Sequence, residues 1–310
     1  MSSLRSSGSP AFSVSAPATT ANLGPGFDSI GLALDLWNEA AFFFEPEGLS
    51  IEIHGIQPNC DGRPENNLIY RSFAEFCRIL GKETPRGLRI VCQNHIPASS
   101  GLGSSASAIL LGILAADAWL ESGLSADALL EIATGIEGHP DNLAAAIHGG
   151  LVAVCGDRDS FHTEKFPAAD WKTVIAVPKL DLSTRASRAV LPKNVTFQDA
   201  VFNLSHALLL PRAFENGSEC LLALAMRDRL HQPYRLPLIP DSETILQAAK
   251  TSGAAASVLS GAGPSIISFM RDDPAPVLTK MRAILDPILP DIDYFTPGIS
   301  PRGATVTWQS

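Results

Sequence analysis

Between residues 12 and 55 apolar and polar positions alternate as they do along half-buried strands, in FSVSA, SIGLALD, EAAFFFE and LSIEIHG, with Gly- and Pro-bearing turns between the runs. The period lengthens over 67–80, NLIYRSFAEFCRIL, where Leu68, Phe73, Phe76, Ile79 and Leu80 share one broad face of a helix. A strand, GLRIVCQ (87–93), runs into the loop NHIPASSGLGSS, which opens a long apolar helix from about Ser105 to Leu120. A helix in SADALLEIATGIEG follows, with Ser125 as its N-cap, then a short helix in HPDNLAAAIHGG that ends in a Gly pair, then the strand LVAVC.

The chain turns polar and turn-rich near 156–172. Beyond it the pattern predicts a strand (TVIAVP), one long helical stretch over about 197–228, a helix near 241–252, strands in AASVLS and SIISFM, a helix near 275–286 and terminal strands. This is an α+β order without repeats or heptads. A chain of 310 residues is long for one core, so we divide it into domains spanning 12–165 and 166–310.

Composition narrows the function. Hydrophobic residues at 45% and charged residues at 18% belong to a folded globular protein, and a net charge of −9 argues against nucleic acid as a partner. An acidic chain can still receive an anion on backbone amides and a few placed cations. The longest apolar run, Ala108 to Ala116, is cut by Asp117 and falls short of the roughly 20 residues of a membrane span. Residues 1–11 lack the apolar stretch of a signal peptide and read as a frayed tail, so a cytoplasmic protein without a membrane partner is expected. Cys60, Cys77, Cys92, Cys155 and Cys220 show neither a CxxC pair nor metal-ligand spacing, as befits reduced thiols that serve mostly as small core residues.

The segment richest in chemistry is Pro97, Ala98, Ser99, Ser100, Gly101, Leu102, Gly103, Ser104, Ser105, Ala106 and Ser107. Its glycines admit backbone conformations closed to other residues and let a ligand come close. The helix that follows offers amides without internal partners and the positive end of its dipole, which together make a phosphate cradle that needs no lysine. A Walker A loop is excluded because no Lys follows Gly103, and the dinucleotide pattern fails because Ala106 stands at the last Gly position. A helix-capping turn is the plainer alternative for a Gly/Ser run taken alone.

This loop resembles the second motif of the GHMP kinases, and two further segments fall in that superfamily's order: PATTANLGPGFD (17–28) and SGAGPS (260–265). Within the superfamily, ANLGPGFDSIGLALDL, EGHPDNLAAAIHGGLV, LSTRASRAVLP and RLHQPYRLPLIP resemble the homoserine kinase family in particular, so that the likeness runs from about Phe12 to beyond Ser268. The resemblance implies an α+β, two-domain fold, with a left-handed crossover in the N-terminal domain and a ferredoxin-like C-terminal domain. It also implies ATP and Mg²⁺ as cofactors, L-homoserine as substrate and a homodimer.

Carried over residue by residue, the resemblance puts the ATP phosphates on the loop 97–107 and Mg²⁺ on Ser105 and Glu137, a hydroxyl and a carboxylate suited to a hard cation. It puts Asn22, Asp28, His139, Asn142, Arg188 and Arg235 around homoserine. Asp28 suits an ammonium group, and Arg188 with Arg235 a carboxylate. Asn142 and Arg188 also become candidate catalytic residues. Asp141 stands where some members carry a catalytic Asp, and whether it acts as base stays open. Gly261 and Gly263 would brace the site from the third motif. Turn residues, helix-end carboxylates and surface arginines are the plain readings of the same positions. Another GHMP kinase, acting on mevalonate or a sugar, and a non-catalytic ligand sensor of the same fold are the rival functions.

Overall fold

The computed structural model describes residues 10–56, 63–157 and 160–308. Cys60 and most of the tail expected to fray lie outside them. Ala11 is already tied down, its amide donating to the Phe42 carbonyl at 2.8 Å.

The chain opens with β1 (Phe12–Asn22), β2 (Gly26–Glu45), β3 (Gly48–Gly55), α1 (Leu68–Ile79), β4 (Gly87–Asn94), α2 (Ser104–Leu120), α3 (Ala126–Glu137), α4 (Asp141–His148), β5 (Leu151–Asp157) and β6 (Ser160–Phe166). It continues through β7 (Lys172–Pro178), α5 (Thr184–Ala189), α6 (Phe197–Asn216), α7 (Glu219–Ala225), α8 (Gln232–Arg235), α9 (Ser242–Ser252), β8 (Ala256–Leu259), β9 (Ile266–Met270), α10 (Pro274–Leu285), β10 (Ile292–Phe295) and β11 (Thr305–Trp308).

Two sheets result. The first runs β11-β1-β2-β4-β3, with β5 and β6 joined to it through β2. β3 and β4 pair in parallel, and α1 makes the crossover between them. The second is a four-stranded antiparallel sheet in the order β10-β7-β9-β8. Strand, helices, two strands, helix and strand, laid out in that order, are the ferredoxin-like βαββαβ arrangement.

Burial follows strand alternation. Phe12, Val14, Ala40, Phe42, Leu88 and Ile90 point from the first sheet into one core with α1, α2 and α4. In β7, Ile175 and Val177 face a second core shared with β2, α6 and α7, while Val174 and Ala176 face a third with α9 and α10. α2 is apolar nearly all round because sheet and helices enclose it. Each fully buried Phe such as Phe42 or Phe73 contributes about 1.5–3 kcal/mol through area removed from water.

Four expectations change. SIGLALD and EAAFFFE are one strand, β2, whose register shifts where Pro17 lies opposite Trp37 and Ala18 opposite Leu34. The bulge resets the alternation, so one strand reads as two, and the two halves then serve β5 and β4 separately. The long stretch over 197–228 breaks into α6 and α7, because Gly217 adopts a left-handed C-cap (φ 68°) and the Ser218 hydroxyl caps the next helix by accepting from Leu221 N. The polar segment near 156–172 contains β6, an edge strand whose outward positions are polar because they meet solvent. Finally, β11 leaves the second half and pairs antiparallel with β1, so the chain's last strand belongs to the first sheet.

Candidate active site

Six chain segments converge where the two sheets meet. Between β4 and α2 the loop takes left-handed backbone at Ser99 (φ 53°), Gly101 (φ 81°) and Gly103 (φ 67°). Glycine is required twice over at two of these positions. A Cβ on Gly103 would lie 2.0 Å from Thr19 Oγ1, and one on Gly101 2.3 Å from the Ser260 carbonyl oxygen. Gly103 occupies the N-cap of α2 without a side-chain cap, so the amides that open α2 stay directed at the loop's cavity. The third motif closes over this turn: Ser260 Oγ donates to Gly101 O at 2.7 Å, and Ser265 N donates to Ser100 O at 3.1 Å. The first motif adds Thr19 N to Leu102 O at 3.0 Å, while Gly261 N donates to Ala21 O at 3.1 Å.

The cavity so formed measures about 260 Å³ and is lined by Asn22, Asp28, Gly101, Gly103, Ser105, Glu137, His139, Asp141, Asn142, Arg188, Arg235, Gly261 and Gly263, among others. Most candidates from the sequence therefore share one space. Within the loop itself, Leu102, Ala106 and Ser107 are buried in the core instead, and Pro97 uses its carbonyl to hold Ser100 Oγ at 2.7 Å. Ala98 lines a second cavity of about 380 Å³ with Ile53, Ile56, Asn66, Asn67 and Ile96. Ser99, Ser104 and Ser105 border both cavities.

At the start of α2, Ser105 Oγ donates to Glu137 Oε2 at 2.6 Å. Glu137 closes α3 and His139 follows it. Asp141, only 2% exposed, opens α4. Asp141 Oδ1 meets His139 Nδ1 at 3.1 Å and accepts from Asn142 N at 2.9 Å. Burial opposes charge on the His139 ring, but its hydrogen bond to Asp141 and the charges of Asp141 and Glu137 outweigh that, and its pKa is raised. Asn142 Oδ1 in turn accepts from Thr19 Oγ1 at 2.8 Å.

The opposite wall carries the charges. Asp28 sits in left-handed backbone (φ 55°) and holds Arg188 of α5 through two bonds of 2.9 and 2.7 Å. Burial disfavours the Arg188 charge, and the Asp28 partner more than restores it, so its pKa is raised. Asn22, expected beside the substrate, also has a bracing task, donating to Gly261 O at 2.7 Å and accepting from Asp28 N at 3.0 Å. Arg235 is 1% exposed and forms no ion pair among the described residues. Its Nε donates to Ser187 O at 3.2 Å and its Nη1 to Gly261 O at 3.3 Å, and its guanidinium lies 5.0 Å over the Phe27 ring. Burial first and Arg188 second press its pKa down.

Sequence reasoning missed Thr19, although it lies inside the PATTAN motif, and it missed the whole second cavity. Ile53 and the adjacent pair Asn66 and Asn67 come from different elements, and no local pattern links the strand to the helix start.

Among the described residues no three His, Cys, Asp or Glu side chains gather as a metal cluster, and no helix is long and apolar enough to cross a membrane. The glycine-tuned loop at a helix start, the hydroxyl–carboxylate pair beside it and the charged wall opposite suit transfer of a phosphoryl group to a small charged acceptor.

Comparison with known proteins agrees. Residues 67–150 match the GHMP kinases N terminal domain, and residues 211–286 match the GHMP kinases C terminal domain. A homoserine kinase of Carboxydothermus hydrogenoformans is 43% identical over 84% of this chain and 85% of its own, and one of Gloeobacter violaceus is 42% identical over 94% and 98%. The crystal structure of homoserine kinase from Cytophaga hutchinsonii superposes with a TM-score of 0.84 at 28% identity, covering 98% of this chain and all of the other. With this identity spread over most of its length, the chain belongs to the homoserine kinase family of GHMP kinases.

Proposed function

We propose that the chain transfers the γ-phosphoryl group of ATP to the side-chain hydroxyl of L-homoserine, giving ADP and O-phospho-L-homoserine on the route to threonine. The hydroxyl oxygen forms the new O–P bond, the bond to the bridging oxygen of ADP breaks, and the hydroxyl proton is released. The observation that carries this reading is Arg235, a buried guanidinium on the cavity wall that forms no ion pair among the described residues. A buried cation calls for an anion, and the carboxylate of an amino acid supplies one. Asp28 receives the ammonium group, and Arg188 shares the carboxylate. Mevalonate would offer a carboxylate but no ammonium for Asp28, and a neutral sugar would offer neither.

On the other wall the amides of Gly101 to Ser105 hold phosphate oxygens, and the neighbouring cavity beside Ile53, Asn67 and Ile96 takes the nucleoside. Ser105 and Glu137 fit Mg²⁺, since a hydroxyl and a carboxylate already meet at 2.6 Å and this cation commonly takes few protein ligands beside phosphates and water. When bound it neutralises charge on the phosphate oxygens. Asn142, fixed by Thr19 and by its neighbour Asp141, orients the acceptor hydroxyl. Asp141 acts through Asn142 and His139, both of which its Oδ1 engages. A cytoplasmic setting and a homodimer complete the reading.

A coupled ADP-release assay over homoserine, mevalonate, galactose and serine tests it. The highest kcat/KM should be for homoserine, and faster turnover of mevalonate or galactose would sink the assignment.

A further inference from the structure

One buried titratable group near the cavity takes no part in the chemistry above. His231 precedes α8 and is fully buried. Its Nε2 lies 2.8 Å from the Gly24 carbonyl oxygen, and its Nδ1 lies 3.4 Å from Arg235 Nη1. A carbonyl can only accept and a guanidinium can only donate. The proton therefore sits on Nε2 and the lone pair on Nδ1, which fixes one neutral tautomer. Burial pushes the His231 pKa down and Arg235 pushes it further, so the neutral form is the stable one, although Asp228 nearby pulls the other way. Asp228 Oδ2 lies 3.5 Å from Nε2, on the side that bears the proton, and the same carboxylate accepts from the amides of Leu230, His231 and Gln232 and from Asn203 Nδ2.

We infer that His231 is a positioning residue that aims Arg235 at the substrate carboxylate without forming an ion pair with it. The inference rests on the homoserine reading above. The groups that touch the Arg235 guanidinium are neutral, namely two backbone carbonyls, the Phe27 face and the imidazole Nδ1, while Arg188, Asp28, Asp141 and Asp228 act on it from further off. A carboxylate at 231 would hold the fork as firmly, but it would neutralise it and compete with the ligand. A neutral acceptor orients without competing. The same ring ties Gly24, in the segment that carries Asn22 and Asp28, to the helix that carries Arg235. The ammonium and carboxylate subsites are thereby set relative to each other.

Three variants separate the contacts, because Asn keeps a polar atom where Nδ1 stands, Gln keeps one where Nε2 stands, and Glu brings a charge. Steady-state kinetics with each substrate varied should give a homoserine KM that rises in the order His231→Asn, His231→Gln, His231→Glu. The Glu variant should be raised about 30-fold or more, on the order of what charge-pair loss costs. The KM for ATP should stay within about twofold throughout. Thermal melts of all three accompany the kinetics. A merely structural role would move both KM values, kcat and Tm together and would make Asn no milder than Gln. That result, or a folded His231→Glu with unchanged homoserine KM, overturns the inference. The wild-type protein in the same assay keeps the failures apart: no homoserine turnover there defeats the proposed function itself.

Discussion

Two arginines on one wall differ in what balances their charge, and that difference organises the site at the scale of residues. Arg188 is held by Asp28 in a bidentate fork and is about one-third exposed, whereas Arg235 is buried without an ion pair among the described residues. Burial acts on the histidines as well. His231 and His148 are both depressed below the ordinary imidazole value, in each case mainly by burial, with Arg235 adding to the effect at His231 and Lys165 at His148. Both gain protons more readily in the unfolded chain. Their contribution to stability is therefore full above a pH of about 6.5 and is lost as pH falls from there through the depressed folded values. Among the described residues the His148 ring hydrogen-bonds to Thr163 Oγ1 at 3.1 Å, away from the cavity, which makes it the cleaner probe. Urea midpoints measured between pH 7 and 5 should fall less steeply in His148→Gln than in the wild type. Parallel curves would mean that His148 titrates normally in the fold.

At the scale of elements, the strand–loop–helix unit of β4 and α2 does what its glycines permit. Gly103→Val would bring a branched side chain into Thr19 and impose strain at φ 67°, displacing the amides that open α2. Because the loop borders the cavity, the helix itself should survive. Calorimetry should show ATP affinity falling by a factor of 10 or more, with far-UV dichroism unchanged; normal affinity would remove this loop from the nucleotide site. The unit was legible in the sequence because strand alternation, a Gly-rich turn and an apolar helix follow one another locally. Thr19 was harder to see: its hydroxyl matters only because folding sets it 2.8 Å from Asn142, 123 positions away. The second cavity was invisible for the same reason, since its walls come from β3, the start of α1, β4 and α2. β2 hid in plain view, its bulge erasing the phase relation that would have joined its halves.

At the scale of the whole molecule, one surface lacks a neighbour. Phe197, Val201, Leu204 and Leu208 recur along α6 at helical spacing and are 92%, 60%, 65% and 80% exposed. Val195, Leu209 and Leu224 extend the patch. A helix of 20 residues is about 30 Å long, and the patch along it amounts to roughly 600–800 Å², more than most monomers expose and close to one side of a standard interface. Of the three acidic or basic residues in α6, Asp199 is turned toward Arg229 at 3.4 Å and Arg212 toward Glu215 at 2.7 Å, so the stripe itself is uncharged. An uncharged stripe on a helix can meet its own copy across a two-fold axis, burying the same residues on both sides. We therefore expect that, if two copies associate, they do so through α6. Leu208→Glu places a charge at the centre of that seam while touching little within one chain. Sedimentation should show a dimer for the wild type and a monomer for Leu208→Glu, with the melting temperature at low protein concentration nearly the same. A wild-type monomer would defeat the expected dimer, and a dimer indifferent to the substitution would move the interface away from α6. Asn203, on the buried face of the same helix, donates to the Pro25 carbonyl at 3.3 Å and to Asp228 at 2.7 Å, so a helix stiffened by a partner also steadies the segment that carries Asp28. The Leu208→Glu monomer should accordingly show a homoserine KM raised a few-fold, with the KM for ATP unchanged.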